Sequence, residues 1–177
     1  MSLYVHVPFC RVRCGYCDFN TYTPSELGDL SPDTYVGAAL AELDLAARIL
    51  GPRRVETVFF GGGTPTMLPA EALGGLLAAV GERFELSDRV EVTTEANPET
   101  LTPQYLDTLR AAGFTRISLG LQSVVPHVLR VLERQHTPRR GLEAAGWARA
   151  AGFEHISLDL IYGTPGESLD DWRSSLD

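Results

Sequence analysis

Arg110-Ala111-Ala112-Gly113-Phe114-Thr115-Arg116-Ile117-Ser118-Leu119 is echoed 39 residues further on by Arg149-Ala150-Ala151-Gly152-Phe153-Glu154-His155-Ile156-Ser157-Leu158. Each copy closes a helical stretch on a glycine and opens a β-branched run, so each reads as the joint between a helix and the strand after it. The interval is a plausible length for one βα unit. Its repetition fits a barrel or partial barrel better than an open sheet.

The same alternation runs outward in both directions. Strand candidates fall at residues 3–7, 55–60, 89–94, 115–121 and 155–161, with helical stretches near 33–50, 70–84, 103–112, 125–134 and 139–151. Thr102 before Pro103 opens one helix and Gly113 closes it; Thr137-Pro138 and Gly152 do the same later. Short strands alternating with longer helices argue for a parallel sheet with crossover helices.

Strand parity then divides the two faces. Ile117, Leu119 and Leu121 share one side of the fourth strand, and Ser118, Gly120 and Gln122 the other. Ile156, Leu158 and Leu160 likewise oppose Ser157 and Asp159. The apolar side belongs under the helices, which turns the small and polar side inward. A closed barrel fills its interior with branched aliphatics. Here the interior reads as polar and roomy, suited to a wide, open barrel around a ligand.

In such folds chemistry gathers at the C-terminal strand ends. The first strand runs into a loop holding all three cysteines of the chain, Cys10-Arg11-Val12-Arg13-Cys14-Gly15-Tyr16-Cys17. The second ends in Phe59-Phe60-Gly61-Gly62-Gly63-Thr64-Pro65-Thr66, where glycines would let backbone groups approach a ligand closely. The third ends in Thr94-Glu95-Ala96-Asn97-Pro98, the fourth at Gln122-Ser123, and the fifth at Asp159 followed by Tyr162-Gly163-Thr164-Pro165-Gly166. Taken singly these are weak signals. The glycine run lacks dinucleotide spacing and a phosphate-binding lysine. Arg134 equally suits the dipole at a helix C-terminus.

The C-x3-C-x2-C spacing can wrap three thiolates around one corner of a small cluster. A [4Fe–4S] core normally takes four thiolates, so three leave one iron open to a ligand. The competing reading is a Cys3His structural zinc site completed by His6. An odd cysteine count with no sign of secretion argues against a disulfide.

Composition narrows the class further. A chain of 177 residues is one domain or part of one, large enough to bury roughly 70% of its unfolded surface. Net charge is −8, and no basic run offers a nucleic-acid footprint. Neither a targeting segment nor a membrane-length apolar stretch is evident, so the chain reads as cytoplasmic. Residues 168–177 read as the opening turns of an amphipathic helix with Leu169, Trp172 and Leu176 on one side. The chain is therefore expected to be the front portion of a longer protein.

Cys10-x3-Cys14-x2-Cys17 after the first strand, Gly61-Gly62-Gly63-Thr64-Pro65-Thr66 after the second, and the ends at Glu95, Gln122 and Asp159 together resemble the radical S-adenosylmethionine (SAM) superfamily. Within it, Leu3-Tyr4-Val5-His6-Val7-Pro8-Phe9-Cys10 and Leu158-Asp159-Leu160-Ile161-Tyr162-Gly163 are similar to motifs of the oxygen-independent coproporphyrinogen III oxidase family. True oxidases of that family carry a further cysteine two residues after the third. Here that position is Phe19, which places the resemblance with the family's haem-chaperone branch and disfavours oxidase activity.

The resemblance implies an α/β fold, a partial (β/α)6 radical SAM barrel. All of residues 1–177 would form its core, with the sixth strand and a C-terminal domain absent. It implies a [4Fe–4S] cluster on Cys10, Cys14 and Cys17, and SAM on the fourth iron. Tyr4 and Tyr16 would flank SAM, Gly62, Gly63 and Thr64 would meet its methionine end, and Arg134 its carboxylate. Glu95, Gln122 and Asp159 would serve its ammonium and ribose hydroxyls. The implied partners are haem or porphyrin, haem-acceptor proteins and an electron donor, with any loose membrane association left to the full-length protein. The alternative activity is radical decarboxylation of porphyrinogen propionates. Haem would need an axial ligand; the histidines present are His6, His127, His136 and His155. The family's haem-ligand histidine region would lie beyond Asp177.

Overall fold

The computed structural model describes residues 1–28, 31–134, 137 and 139–177. Five parallel strands form one sheet: β1 (Ser2–Val7), β2 (Arg54–Gly62), β3 (Glu85–Ala96), β4 (Arg116–Gln122) and β5 (His155–Leu160). Helices α1 (Pro32–Leu50), α2 (Ala70–Arg83) and α3 (Pro103–Ala112) join the first four strands. Helices α4 (Pro126–Val131) and α5 (Arg140–Ala150) join the last pair, and α6 (Leu169–Leu176) follows β5.

Strand order in the sheet is the order in the chain. Right-handed crossovers that always step in one direction put every connecting helix on the same side of the sheet. One face is therefore covered and the other left concave. This is the arrangement of a barrel wall, and it bears out the partial-barrel expectation.

The core lies under the helices. Val58 and Phe60 of β2, Val92 of β3 and Ile117 and Leu119 of β4 pack with Leu73, Leu77 and Val80 of α2 and Leu106 and Leu109 of α3. Phe60 meets Phe114 at a centroid separation of 5.2 Å, across the turn between α3 and β4. On the concave face the chemistry inverts. Arg116 donates to Ser157 at 2.8 Å and faces Glu91 at 3.4 Å, while Ser118 donates to Asp159. The expected parity therefore holds, with aliphatics outward and polar groups inward.

Local chemistry sets most element ends. Thr102 accepts from the Tyr105 N–H at 3.1 Å, and Gly113 ends α3 in the left-handed region at φ 104°. Ser31 and Thr34 form a reciprocal capping box at the start of α1. The expected start of the fifth helix falls partly on Pro138, which with Asp29, Leu30, Gln135 and His136 lies outside the described residues.

Two elements differ from the reading of the sequence. β3 begins at Glu85 rather than 89, because Arg54 and Val55 pair with Glu85 and Leu86 before an irregularity restores register at Thr57 and Glu91. Ser87 and Asp88 fall within this irregularity, inside the strand. α4 stops at Val131 instead of running to 134: Glu133 takes φ 52° and breaks the helix. Arg134 thus leaves the helix and is not its C-terminal cation.

Candidate functional site

The cysteine loop is fastened at its base. The Tyr22 N–H donates to Pro8 O at 2.8 Å and the Cys10 N–H to Tyr22 O at 3.0 Å, so residues 9 and 22 run side by side. The glycine loop after β2 is laced to the same stretch, with Gly63 N–H donating to Val7 O at 2.8 Å and Thr64 N–H to Phe9 O at 2.7 Å. A Cβ on Gly63 would lie 2.6 Å from Phe9 O. One on Gly62, where φ is 109°, would lie 2.5 Å from the His6 ring. The glycines therefore serve the close approach of two loops as well as any approach to a ligand.

Above the joined loops opens a cavity of about 660 Å³. It is walled by the three cysteines, the glycine loop and the ends of β3, β4 and β5. Of the residues assigned above to the cluster and SAM, all but Tyr4 line it. Cys10, Cys14 and Cys17 are free and half-buried along one side. Burial pushes the Cys10 thiol up from its ordinary value, against the opposing pull of the Thr21 and Thr64 hydroxyls. Phe19 stands 65% exposed at the rim.

Arg134 crosses from the cysteine loop to the sheet. Its Nη1 donates to Cys14 Sγ at 3.5 Å and its Nη2 to Gly120 O at 2.8 Å. Its Nε is buried and has no hydrogen-bond partner among the described residues. A buried, unmatched guanidinium N–H beside a cavity is a donor still lacking its acceptor, and a carboxylate suits it. Gly120 makes room for this: a Cβ there would fall 2.7 Å from Arg134 Nη2 and 2.8 Å from Gln122 Nε2.

Three acceptor-bearing side chains face the same space. Glu95 accepts the Gly62 N–H at 3.0 Å. Burial raises its carboxyl above the ordinary value and the Asp159 charge adds to this, while the Gly62 hydrogen bond and His6 oppose them. Gln122 closes β4 after a bulge, in the left-handed region at φ 65°. A non-glycine residue held there is uncommon, and such strain clusters at functional sites. Asp159 accepts from the Ser118 hydroxyl at 2.9 and 3.1 Å, one contact to each carboxylate oxygen.

Ser118 and Glu99 are among the cavity residues that the sequence reading did not assign to the site. Ser118 was placed on the inner face by parity, but nothing local ties it to Asp159. Glu99 lies in the turn after β3, accepting the Thr137 N–H at 2.6 Å and facing Arg140 at 3.8 Å. The Asn97-Pro98 turn signal marks its position but not its target.

Tyr4 lies outside the cavity wall. Its ring stacks on Phe59 at 6.1 Å, and its hydroxyl meets His6 Nδ1 at 3.1 Å. His6 Nε2 lies 2.8 Å from Asn20 O. A carbonyl can only accept, so Nε2 carries the proton and Nδ1 accepts from Tyr4. Both ring nitrogens are thus engaged, which removes His6 as the fourth ligand of a zinc site. Among the described residues no three His, Cys, Asp or Glu side chains converge tightly enough to grip one ion. In a [4Fe–4S] core each thiolate takes its own iron, so the three need not converge on a single ion. Of the other histidines, His127 pairs with Asp171 at 3.3 Å, and His136 lies outside the described residues.

Comparison with known proteins identifies the family. The family model described as the radical SAM superfamily matches residues 4–177. Over 99% of its length the chain is 57% identical to the heme chaperone HemW of Mycobacterium tuberculosis, covering 45% of that protein. It is 39% identical to HemW of Escherichia coli over 97% of its length, again 45% of the relative. The chain thus spans a little under half the length of these relatives. Among solved structures, coproporphyrinogen III oxidase (HemN) from Escherichia coli superposes with a TM-score of 0.89 at 32% identity, over 99% of this chain and 40% of that one.

Proposed function

The chain belongs to the radical SAM superfamily, and from that premise we propose that it is the barrel portion of a haem chaperone holding a [4Fe–4S] cluster and SAM. The observation that carries the reading is the meeting of a three-thiol loop, an under-satisfied Arg134 and the acceptors Glu95, Gln122 and Asp159 around one cavity. A zwitterionic, ribose-bearing ligand needs that mixture of one cation and several acceptors.

In this reading Cys10, Cys14 and Cys17 hold the cluster. When bound, the cluster and SAM supply one-electron chemistry that no side chain can. The chain's own contribution is orientation. Arg134 offers its guanidinium to a carboxylate, and Glu95, pinned by Gly62, accepts from an ammonium. Gln122 and Asp159 serve hydroxyls, while Thr64 and the Gly62-Gly63 backbone bound the methionine end. Tyr16 lines the same space. Tyr4 takes part through His6 and the glycine loop.

Haem transfer, the acceptor proteins and the electron donor are properties of the full-length protein. Identity to the named heme chaperones supports haem as the cargo, and Phe19 at the rim supports a chaperone over an oxidase. The likeness to the coproporphyrinogen oxidase structure keeps oxidase activity as the rival reading. The discriminating experiment incubates the reduced, reconstituted full-length protein with SAM and coproporphyrinogen III, and in parallel loads it with haem beside an apo-haemoprotein. Haem transfer without protoporphyrinogen IX formation is the expected result. Protoporphyrinogen IX formation would overturn it.

A further inference from the structure

β4 and β5 are joined on the concave face by two links of the same kind. In their register Arg116 stands opposite His155 and Ser118 opposite Ser157. Each β4 side chain nonetheless reaches one step further along β5: Arg116 to Ser157 at 2.8 Å, and Ser118 to Asp159 at 2.9 and 3.1 Å. The lower link lies outside the cavity wall, whereas both members of the upper one line the cavity.

Asp159 sits on the last strand of the sheet, and Ser118 is the hydrogen-bond donor to its carboxylate among the described residues. Ser118 itself is 8% exposed and fixed in a strand whose side chains are nearly all buried. A short carboxylate on a partly exposed strand turns freely about two bonds unless something holds it. The hydroxyl straddles both oxygens and fixes the plane. Because the hydroxyl spends its proton on the carboxylate, the pair shows a ligand lone pairs alone, so it selects donors.

We infer that Ser118 is a positioning residue, setting the aim of the Asp159 carboxylate toward the donor groups of the bound ligand. This deepens the proposed SAM site and rests on it. The Arg116–Ser157 link supplies an internal control, since it ties the same two strands with no part in the cavity.

The test is equilibrium binding of SAM to the anaerobically reconstituted full-length protein, by calorimetry, with thermal melting of each variant alongside. Ser118→Ala is expected to weaken binding about tenfold, the scale of one charge-assisted hydrogen bond. Ser118→Thr, which keeps the hydroxyl, should restore it, and Ser157→Ala should stay within about twofold of wild type. Added to Asp159→Asn, Ser118→Ala should weaken binding little further, because one acts through the other. Binding losses that add fully, equal losses in Ser118→Ala and Ser157→Ala, or wild-type affinity in Ser118→Ala would each overturn the inference while leaving the site intact. Failure of the wild-type protein to bind SAM would overturn the site and this inference with it.

Discussion

Arg134 and Cys14, 120 residues apart in the chain, meet at 3.5 Å across the cavity mouth. The contact joins the cysteine loop to the end of the fourth strand through a single side chain, whose other arm holds Gly120 O. Geometry of this sort depends on the planar fork of a guanidinium; an ammonium of the same charge cannot reach both groups.

Arg134→Lys should therefore weaken SAM binding by roughly tenfold, and Arg134→Met by more, with little change in melting temperature. Calorimetric titration of the reconstituted full-length protein reads both. Wild-type affinity in both variants would show that charge and fork contribute nothing there.

Each of Cys10→Ser, Cys14→Ser and Cys17→Ser should abolish the brown chromophore and lower bound iron to background after anaerobic reconstitution. Iron and sulfide analysis decides it. Stoichiometric zinc retained by aerobically purified wild type would favour the structural-metal alternative.

Glu95 gives a pH dependence with a definite sign. Its native carboxyl is raised above the reference value of 4.5, chiefly by burial. A raised carboxyl stabilises the fold fully below the unfolded value, and that contribution is lost as pH rises through the native one. At neutral pH the ionised group is thus a burden on the ligand-free protein. Glu95→Gln, whose amide oxygen can still accept the Gly62 N–H, should melt higher than wild type at neutral pH. The two curves should converge as pH falls toward 4.5. The same variant should bind SAM more weakly, and thermal scans with and without ligand test both halves.

Two glycines should respond oppositely to alanine. At Gly62 the added Cβ meets the His6 ring at 2.5 Å and the backbone is left-handed, so Gly62→Ala should lose about 2 kcal/mol or more. At Gly75, inside α2, no atom of the described residues lies within 4 Å of the added Cβ, and Gly75→Ala should gain about 1 kcal/mol. Urea melts of the two variants check the contrast.

Period and punctuation carried most of the architecture. The strand-to-helix alternation located every strand, and the parity of Ile117-Ser118-Leu119-Gly120 assigned the faces correctly, because an apolar face must sit under helices. What stayed hidden was longer in range. Ser118 meets Asp159 only through the pairing of β4 with β5, and Arg134 reaches the cavity only because Glu133 ends α4 early. The glycine run was legible as an unusual turn. Its crowding against His6 and Phe9 O required the neighbouring strand to be in place. Tyr4 shows the reverse limit: a motif position says which residue matters, while its side chain here turns to Phe59 and His6 rather than to the cavity.

The hydrogen bonds that knot Pro8, Phe9 and Cys10 to Tyr22 and Thr64 bear on how the protein would tolerate loss of the proposed cluster. A loop already gathered at its neck surrenders little further chain freedom when its thiolates take up iron. Demetallation should accordingly loosen the crown of that loop and leave the β-sheet standing, unlike a zinc finger, which unravels without its ion. A chelator would bleach such a protein without melting it, and the same scaffold could be refilled.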